Sequence, residues 1–126
     1  MKKLFFLLLI LVLLTGCGEK PAAAYKQISM EEAAELMGNE GVLLVDVRTR
    51  AEFDSGHIPG AICIPVESIS SPPAQLPDTE QTILIFCRSG NRSKQAAEKL
   101  AAMGYTNIIE CGGIRDWTGP LAYGEE

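Results

Sequence analysis

Hydrophobic residues fall into blocks along this chain, and the blocks predict short strands separated by helices. Two runs, Val42 to Val47 and Ile83 to Phe86, are almost continuously apolar, which is typical of strands buried on both faces of a parallel sheet. Shorter apolar segments predict further strands at residues 61–64 and 108–109. Strands that alternate with helical segments indicate an α/β fold with a parallel sheet.

Two helices are also predicted, one before the strand at 42–47 and one between the strands at 83–86 and 108–109. The first follows the capping-box pair Ser29 and Glu32 and ends at Gly38. The second runs from Lys94 to Met103 with its apolar residues on one face, and Gly104 ends it. Three smaller features are also predicted: a helical turn at 51–55, a proline-rich loop at 70–78, and a turn at Gly112 and Gly113 before a segment carrying Trp117.

The N-terminus has the pattern of a secretory signal. Lys2 and Lys3 precede an unbroken apolar run from Leu4 to Leu14, which is too short to span a bilayer comfortably. A basic start, a short apolar core and then small residues are typical of a segment that is removed from the mature protein. We therefore exclude this segment from the fold.

The residues that follow, Leu14-Thr15-Gly16-Cys17, resemble the lipobox of bacterial lipoproteins. That resemblance implies cleavage before Cys17 and acylation of its thiol; the alternative is an ordinary signal peptide with an incidental cysteine. The predicted organisation is a signal peptide at 1–16, a lipidated Cys17 with a small, polar tether over 17–26, and one domain at 27–124. We expect an extracytoplasmic protein that is lipid-anchored to a bacterial membrane, on the outer face of the cell membrane or in the periplasm.

Charge and cysteine content narrow the chemistry. The formal net charge of −5 becomes −7 once the two lysines of the signal are removed, so nucleic acid is not expected as a partner. Besides the lipidated residue the chain has Cys63, Cys87 and Cys111, an odd number that cannot all pair within one chain. His57 is the single histidine and there is no Cys-x-x-Cys, so a metal site is not expected.

The stretch from Cys87 to Ser93 carries the candidate chemistry, because it joins the end of a buried strand to the start of a helix. A loop of this length with a glycine can curl so that its backbone N–H groups point inward, and the helix that follows directs its positive end at the same spot. Those donors, with Arg88 and Arg92, would stabilise a Cys87 thiolate and make it a nucleophile. The alternative is that Cys87 is a buried core thiol and the arginines are solvated surface.

In these segments the chain resembles the rhodanese-like family of sulfurtransferases over about residues 25–124. The matching motifs are Asp46-Val47-Arg48, Glu52-Phe53, Gly56-His57-Ile58-Pro59-Gly60-Ala61, Cys87 to Ser93, and Gly112-Gly113-Ile114 with Trp117. The resemblance implies a rhodanese-like α/β fold with a central parallel sheet of about five strands, flanked by helices on both faces.

The resemblance also implies a reaction. The Cys87 thiolate would take the outer sulfur of a small anionic donor such as thiosulfate, become a persulfide, and pass that sulfur to a cyanide or thiol acceptor, without a cofactor. Arg88 and Arg92 would attract the donor, and the backbone of the loop would hold the negative charge of the persulfide. The substrate-binding residues are thus expected to be Arg88, Ser89, Gly90, Asn91, Arg92 and Ser93.

Of three other functions, one is not expected and two remain as alternatives to sulfur transfer. Phosphatase loops place an arginine six residues after the cysteine, where this chain has Ser93, so phosphatase activity is not expected. A persulfide relay or binding module that delivers sulfur to a protein acceptor is one alternative. Thiol-disulfide redox is another, with Cys111 as a resolving thiol for Cys87, although we favour the interpretation of Cys111 as a buried small hydrophobe.

The remaining polar residues are expected to support the site. We expect Asp46 and Arg48 to have a structural role. Either Arg48 pairs with Glu52, or Asp46 accepts hydrogen bonds from loop amides. For His57 we expect a structural hydrogen bond to the backbone, because persulfide transfer from a preformed thiolate needs no base. No role is assigned to Cys63.

Overall fold

A computed structural model describes residues 24–124. Within this range the strands form a single five-stranded sheet in the order β1-β5-β4-β2-β3, and every neighbouring pair is parallel. The strands are β1 Lys26–Gln27, β2 Val42–Asp46, β3 Ile62–Cys63, β4 Thr82–Cys87 and β5 Ile108–Gly113. The predicted α/β class and the parallel sheet are confirmed.

Three α-helices connect the strands: α1 Met30–Leu36, α2 Arg50–Asp54 and α3 Asn91–Ala102. The predicted capping box is present, since the Ser29 hydroxyl accepts the N–H of Glu32 at 3.0 Å. A second capping box, formed by Thr49 and Glu52, starts α2; the same Ser/Thr-x-x-Glu pattern could have revealed it. Single 3₁₀ turns follow at Val66–Ser68 and Ile114–Asp116.

Alternation along β4 divides the core between the two faces of the sheet. Ile83, Ile85 and Cys87 face the layer that contains α3, whereas Leu84 and Phe86 face the layer that contains α1 and α2. All five side chains are buried. The sheet is therefore covered by helices on both faces, as predicted, and the thiol of Cys87 lies on the α3 side.

The observed elements differ from the prediction in several places. The sequence pattern gave no sign of β1, whose two exposed residues pair with Ile109 and Glu110 of β5. α3 begins at Asn91 rather than Lys94 because Gly90, in the left-handed conformation at φ 110°, starts the helix directly after the loop. The predicted turn at residues 112–113 was wrong. β5 continues to Gly113, which pairs with Cys87 after a shift in register.

Candidate active site

Cys87 ends β4, and its side chain lies inside the curl of the loop that leads into α3. The residue is 1% exposed. The backbone N–H of Gly90 donates to the Cys87 sulfur at 3.0 Å, and the hydroxyl oxygen of Ser93 lies 3.5 Å from the same atom. The loop therefore curls around the sulfur and directs hydrogen-bond donors at it, as its length and its glycine predicted.

Two glycines allow this shape for different reasons. Gly90 has a φ of 110°, in the left-handed region that favours glycine. Gly113 has an ordinary extended backbone, but a Cβ atom there would lie 1.9 Å from the carbonyl oxygen of Arg88. That carbonyl also accepts the N–H of Arg115 at 3.3 Å. The loop is therefore packed directly on the end of β5.

Burial and hydrogen bonding act in opposite directions on Cys87. Burial by itself raises the pKa of the thiol, but the Ser93 hydroxyl and the backbone amides of Ser93, Gly90 and Ser89 outweigh it, so the pKa lies below its ordinary value. A lowered pKa increases the thiolate fraction at neutral pH. The site can therefore supply a nucleophilic sulfur.

Ser93 connects the sulfur to a buried carboxylate that the sequence analysis missed. The Ser93 hydroxyl lies 2.6 Å from Oε1 of Glu110 and 2.9 Å from the carbonyl oxygen of Gly90. Oε1 of Glu110 also accepts the N–H of Gly112 at 2.8 Å. Glu110 is 3% exposed. An acidic residue inside an otherwise apolar strand was the signal that could have identified it.

The other predicted binding residues differ in exposure. Arg88, Ser89 and Asn91 are exposed, and Arg92 is partly buried. Arg92 lies against Glu52, with Nη1 2.6 Å from Oε1 and Nη2 3.0 Å from Oε2. These hydrogen bonds lower the pKa of Glu52 to about 2 and raise that of Arg92. The charge of Arg92 is therefore compensated by Glu52. The sequence-based expectation, in which Arg92 attracts the anionic sulfur donor, did not include this ion pair.

Asp46 and Arg48 form a buried pair of their own. Arg48 donates from Nε to both carboxylate oxygens at 3.0 Å and from Nη2 to Oδ2 at 2.7 Å. The Arg48 backbone N–H also donates to Oδ1 at 2.9 Å, so a loop amide does bind Asp46 as expected. Nη2 donates further to the carbonyl oxygen of Gly56. The expected pairing of Arg48 with Glu52 was wrong, because the side chain turns back to its neighbour two residues earlier.

His57 has the structural position expected for it. The ring is fully buried, stacks on Phe53 with 3.7 Å between centroids, and places Nδ1 2.9 Å from the Phe53 carbonyl oxygen. Cys63 is partly buried, and its thiol lies 3.7 Å from the carbonyl oxygen of Arg48. Burial raises the pKa of Cys63.

Cys111 is a core residue on the face of the sheet opposite to Cys87. It is fully buried in the layer that contains α1 and α2, and its thiol donates to the Ile85 carbonyl oxygen at 3.3 Å. Burial, with the negative charges of Glu110 and Cys87, raises its pKa to about 12. The two side chains lie on opposite faces of the sheet, and the raised pKa disfavours the thiolate of Cys111, so the structure argues against the hypothesis of a resolving thiol.

Comparisons with known proteins agree with this geometry. The family profile described as Rhodanese-like domain matches residues 29–119, and the profile for a prokaryotic membrane lipoprotein lipid attachment site matches residues 1–17. The latter residues, including Cys17, lie outside those that the structure describes. Between residues 24 and 124 no helix is long and apolar enough to cross a membrane.

Two curated relatives and one solved structure illustrate the similarity. The thiosulfate sulfurtransferase PspE of Escherichia coli is 36% identical over 81 residues, covering 64% of this chain and 78% of that protein. A sulfurtransferase of Allochromatium vinosum is 41% identical over 83 residues, covering 65% and 77%. The human single-domain sulfurtransferase TSTD1 superimposes with a TM-score of 0.66 at 30% identity, covering 75% and 96%. The chain therefore belongs to the rhodanese-like domain family, and its N-terminus carries a lipoprotein lipid attachment site.

Proposed function

We propose that this protein is a sulfurtransferase that moves sulfane sulfur from a small anionic donor such as thiosulfate to a thiophilic acceptor through a persulfide on Cys87. The observation that carries the proposal is the hydrogen bond from the Gly90 N–H to the Cys87 sulfur at 3.0 Å. A sulfur that receives backbone donors before any substrate arrives is prepared to carry negative charge. The sulfur-transfer activity named for its relatives supports the same conclusion.

The reaction divides into two displacements at sulfur. In the first, the Cys87 thiolate attacks the outer sulfur of thiosulfate, the sulfur–sulfur bond of the donor breaks, and sulfite leaves with the bonding electron pair. In the second, cyanide or a thiolate attacks the outer sulfur of the persulfide, and Cys87 leaves as the thiolate. Because the enzyme holds the sulfur between the two steps, ping-pong kinetics are expected.

The loop residues have separate roles in this proposal. Arg88 is the exposed cation that meets the anionic donor. Ser89, Gly90 and Ser93 supply backbone donors to the sulfur, while Asn91 and Arg92 form the first turn of α3. Asp46 at the end of β2 and Arg48 in the loop after it support the site. Asp46 pairs in register with Phe86, the residue before Cys87.

We also propose where the protein works. Residues 1–16 act as the signal peptide, Cys17 carries the lipid, a tether reaches the domain at 27–124, and the domain lies outside the cytoplasm. Labelled fatty acid that enters the full chain but not a Cys17→Ala variant would support the anchor. Equal labelling of both chains would contradict it.

The covalent step is tested by intact mass measurement of the full chain before and after thiosulfate, with the adduct located by peptide mapping. One added sulfur atom on Cys87 is expected, and Cys87→Ser should remove both the adduct and thiosulfate:cyanide turnover. Cys63→Ser and Cys111→Ser are the matched controls and should still load sulfur. An adduct that persists in Cys87→Ser, or none in the wild type, would contradict the proposal. Full loading with poor cyanide turnover would instead favour a protein acceptor.

A further inference from the structure

Glu110 is a buried carboxylate one hydroxyl group away from the reactive sulfur. It projects from β5 on the side of the sheet that faces α3, where its oxygen Oε1 lies 2.6 Å from the Ser93 hydroxyl and 2.8 Å from the Gly112 nitrogen. Burial of a carboxylate is costly unless its hydrogen bonds are satisfied. Its position between Ile109 and the fully buried Cys111 would ordinarily hold an apolar residue, so packing does not account for it.

The Ser93 hydroxyl has one proton to give, and four acceptors surround it. Oε1 of Glu110 is the nearest at 2.6 Å, the carbonyl oxygens of Gly90 and Gly112 follow at 2.9 Å and 3.3 Å, and the Cys87 sulfur is the farthest at 3.5 Å. Hydrogen bonds to an ionised acceptor are the shorter and stronger ones. The shortest of these contacts is the one to Glu110, so this carboxylate holds most of the Ser93 proton and the hydroxyl donates only weakly to the sulfur.

We propose that Glu110 is a positioning residue for Cys87 that acts through Ser93: by holding the Ser93 proton, it withholds one hydrogen bond from the sulfur anion. This inference rests on the proposed function only in that it assigns the same sulfur as the carrier. An anion that receives fewer hydrogen bonds is more basic and more nucleophilic. Glu110 thus keeps the sulfur reactive in a loop whose amides would otherwise stabilise it further.

Other groups near Cys87 also bear on its titration. Arg92 of α3 interacts electrostatically with Cys87 and is paired with Glu52 of α2, and Cys111 of β5 is affected by the charge of Cys87 from the far face. Arg88 lies in the loop itself. The test must therefore separate an effect carried by the Ser93 hydrogen bond from a general effect of the Glu110 charge.

Four full-length chains make this separation: wild type, Glu110→Gln, Ser93→Ala and the double variant. The measurement is the pH dependence of iodoacetamide alkylation of Cys87, followed by peptide mapping without any sulfur donor. Glu110→Gln weakens the competing acceptor, so the midpoint should fall by about one pH unit, as expected for one hydrogen bond. The alkylation rate of the fully formed thiolate should fall roughly threefold. In the Ser93→Ala background, Glu110→Gln should produce little or no shift.

Two results with Glu110→Gln would overturn the inference. An unchanged midpoint in folded Glu110→Gln would show a role in packing only, and an equal shift in both backgrounds would show a direct charge effect without Ser93. Glu110→Asp is the second variant if Glu110→Gln does not fold. It keeps the charge but retracts it from Ser93, and should lower the midpoint as well; no shift would also overturn the inference. Since alkylation needs no donor, failure of the wild type to load thiosulfate sulfur would contradict the proposed function separately.

Discussion

Arg92 and Glu52 form a two-point ion pair that joins the active-site helix α3 to α2, with the paired atoms 2.6 Å and 3.0 Å apart. Both side chains are about 30% exposed, at 27% and 32% respectively. The pair therefore compensates one of the two arginines of the loop. Arg88 is left as the loop arginine that is fully available to an anionic donor.

Glu52→Gln is expected to strengthen donor binding. The glutamine keeps the N3 position of the capping box but removes the charge that offsets Arg92, so the KM for thiosulfate should fall about two- to fivefold, the range of a partly exposed charge pair. The kcat should stay near that of the wild type. Glu98→Gln, an exposed change on α3, is the control and should leave the KM unchanged. A higher KM in Glu52→Gln would contradict the compensation argument.

The same pair should contribute to stability in a pH-dependent way. The pKa of Glu52 falls from 4.5 to about 2 on folding, chiefly through its hydrogen bonds to Arg92. The contribution is therefore fully present above about pH 4.5 and is lost as the pH falls towards about 2. The measurement is the difference in unfolding free energy between wild type and Glu52→Gln as a function of pH. A difference that stays constant through that interval would contradict the shift.

Gly113→Ala should disrupt the loop without backbone strain. Its Cβ would lie 1.9 Å from the Arg88 carbonyl oxygen, so the loop must move, and a displacement of about 1 Å at a reacting centre costs roughly a hundredfold in rate. The readout is the rate of sulfur loading on Cys87. Gly38→Ala is the matched control: it has a φ of 84° and open space around it. It should cost about 1 to 2 kcal/mol of stability and leave loading unchanged.

Asp46→Asn should be among the most destabilising single changes at the site. It leaves Arg48, whose side chain is 7% exposed, as a buried charge without its counter-ion, at an expected cost of about 3 to 5 kcal/mol. The exposed pair Arg50 and Asp54, with atoms 3.2 Å apart, supplies the control. Asp54→Asn should cost about 0.5 kcal/mol or less. Similar denaturant midpoints for the two variants would refute the distinction.

Cys111 should matter for packing and not for sulfur transfer. Cys111→Ala removes a fully buried sulfur atom and should lower the free energy of unfolding by about 1 to 2 kcal/mol, with sulfur loading on Cys87 unchanged. In the native wild type, iodoacetamide should modify Cys87 well before Cys111, whose pKa is about 12. Peptide mapping of a short reaction provides the measurement. A disulfide between Cys87 and Cys111 in the folded protein would contradict this assignment.

Local pattern was sufficient for most of the fold and for the reactive loop. Continuous apolar runs predicted the buried strands β2 and β4, and the sequence from Cys87 to Ser93 predicted a curled loop at a helix start. Both are properties of neighbouring residues, which sequence displays directly. β1 escaped prediction because its two exposed residues have no hydrophobic pattern and depend on β5 for their structure.

Relationships between distant segments were decided only by the tertiary structure. Glu52 and Arg92 are 40 residues apart, and Ser93 and Glu110 are 17 apart; nothing in either local sequence selects the partner. The same holds for the two buried cysteines. Cys87 ends β4 and Cys111 lies within the neighbouring strand β5, and only the register between the two strands determines which face each thiol occupies. Residue types and their order thus determined the chemistry available, whereas strand register and helix packing decided which groups act together, because those depend on contacts between distant segments.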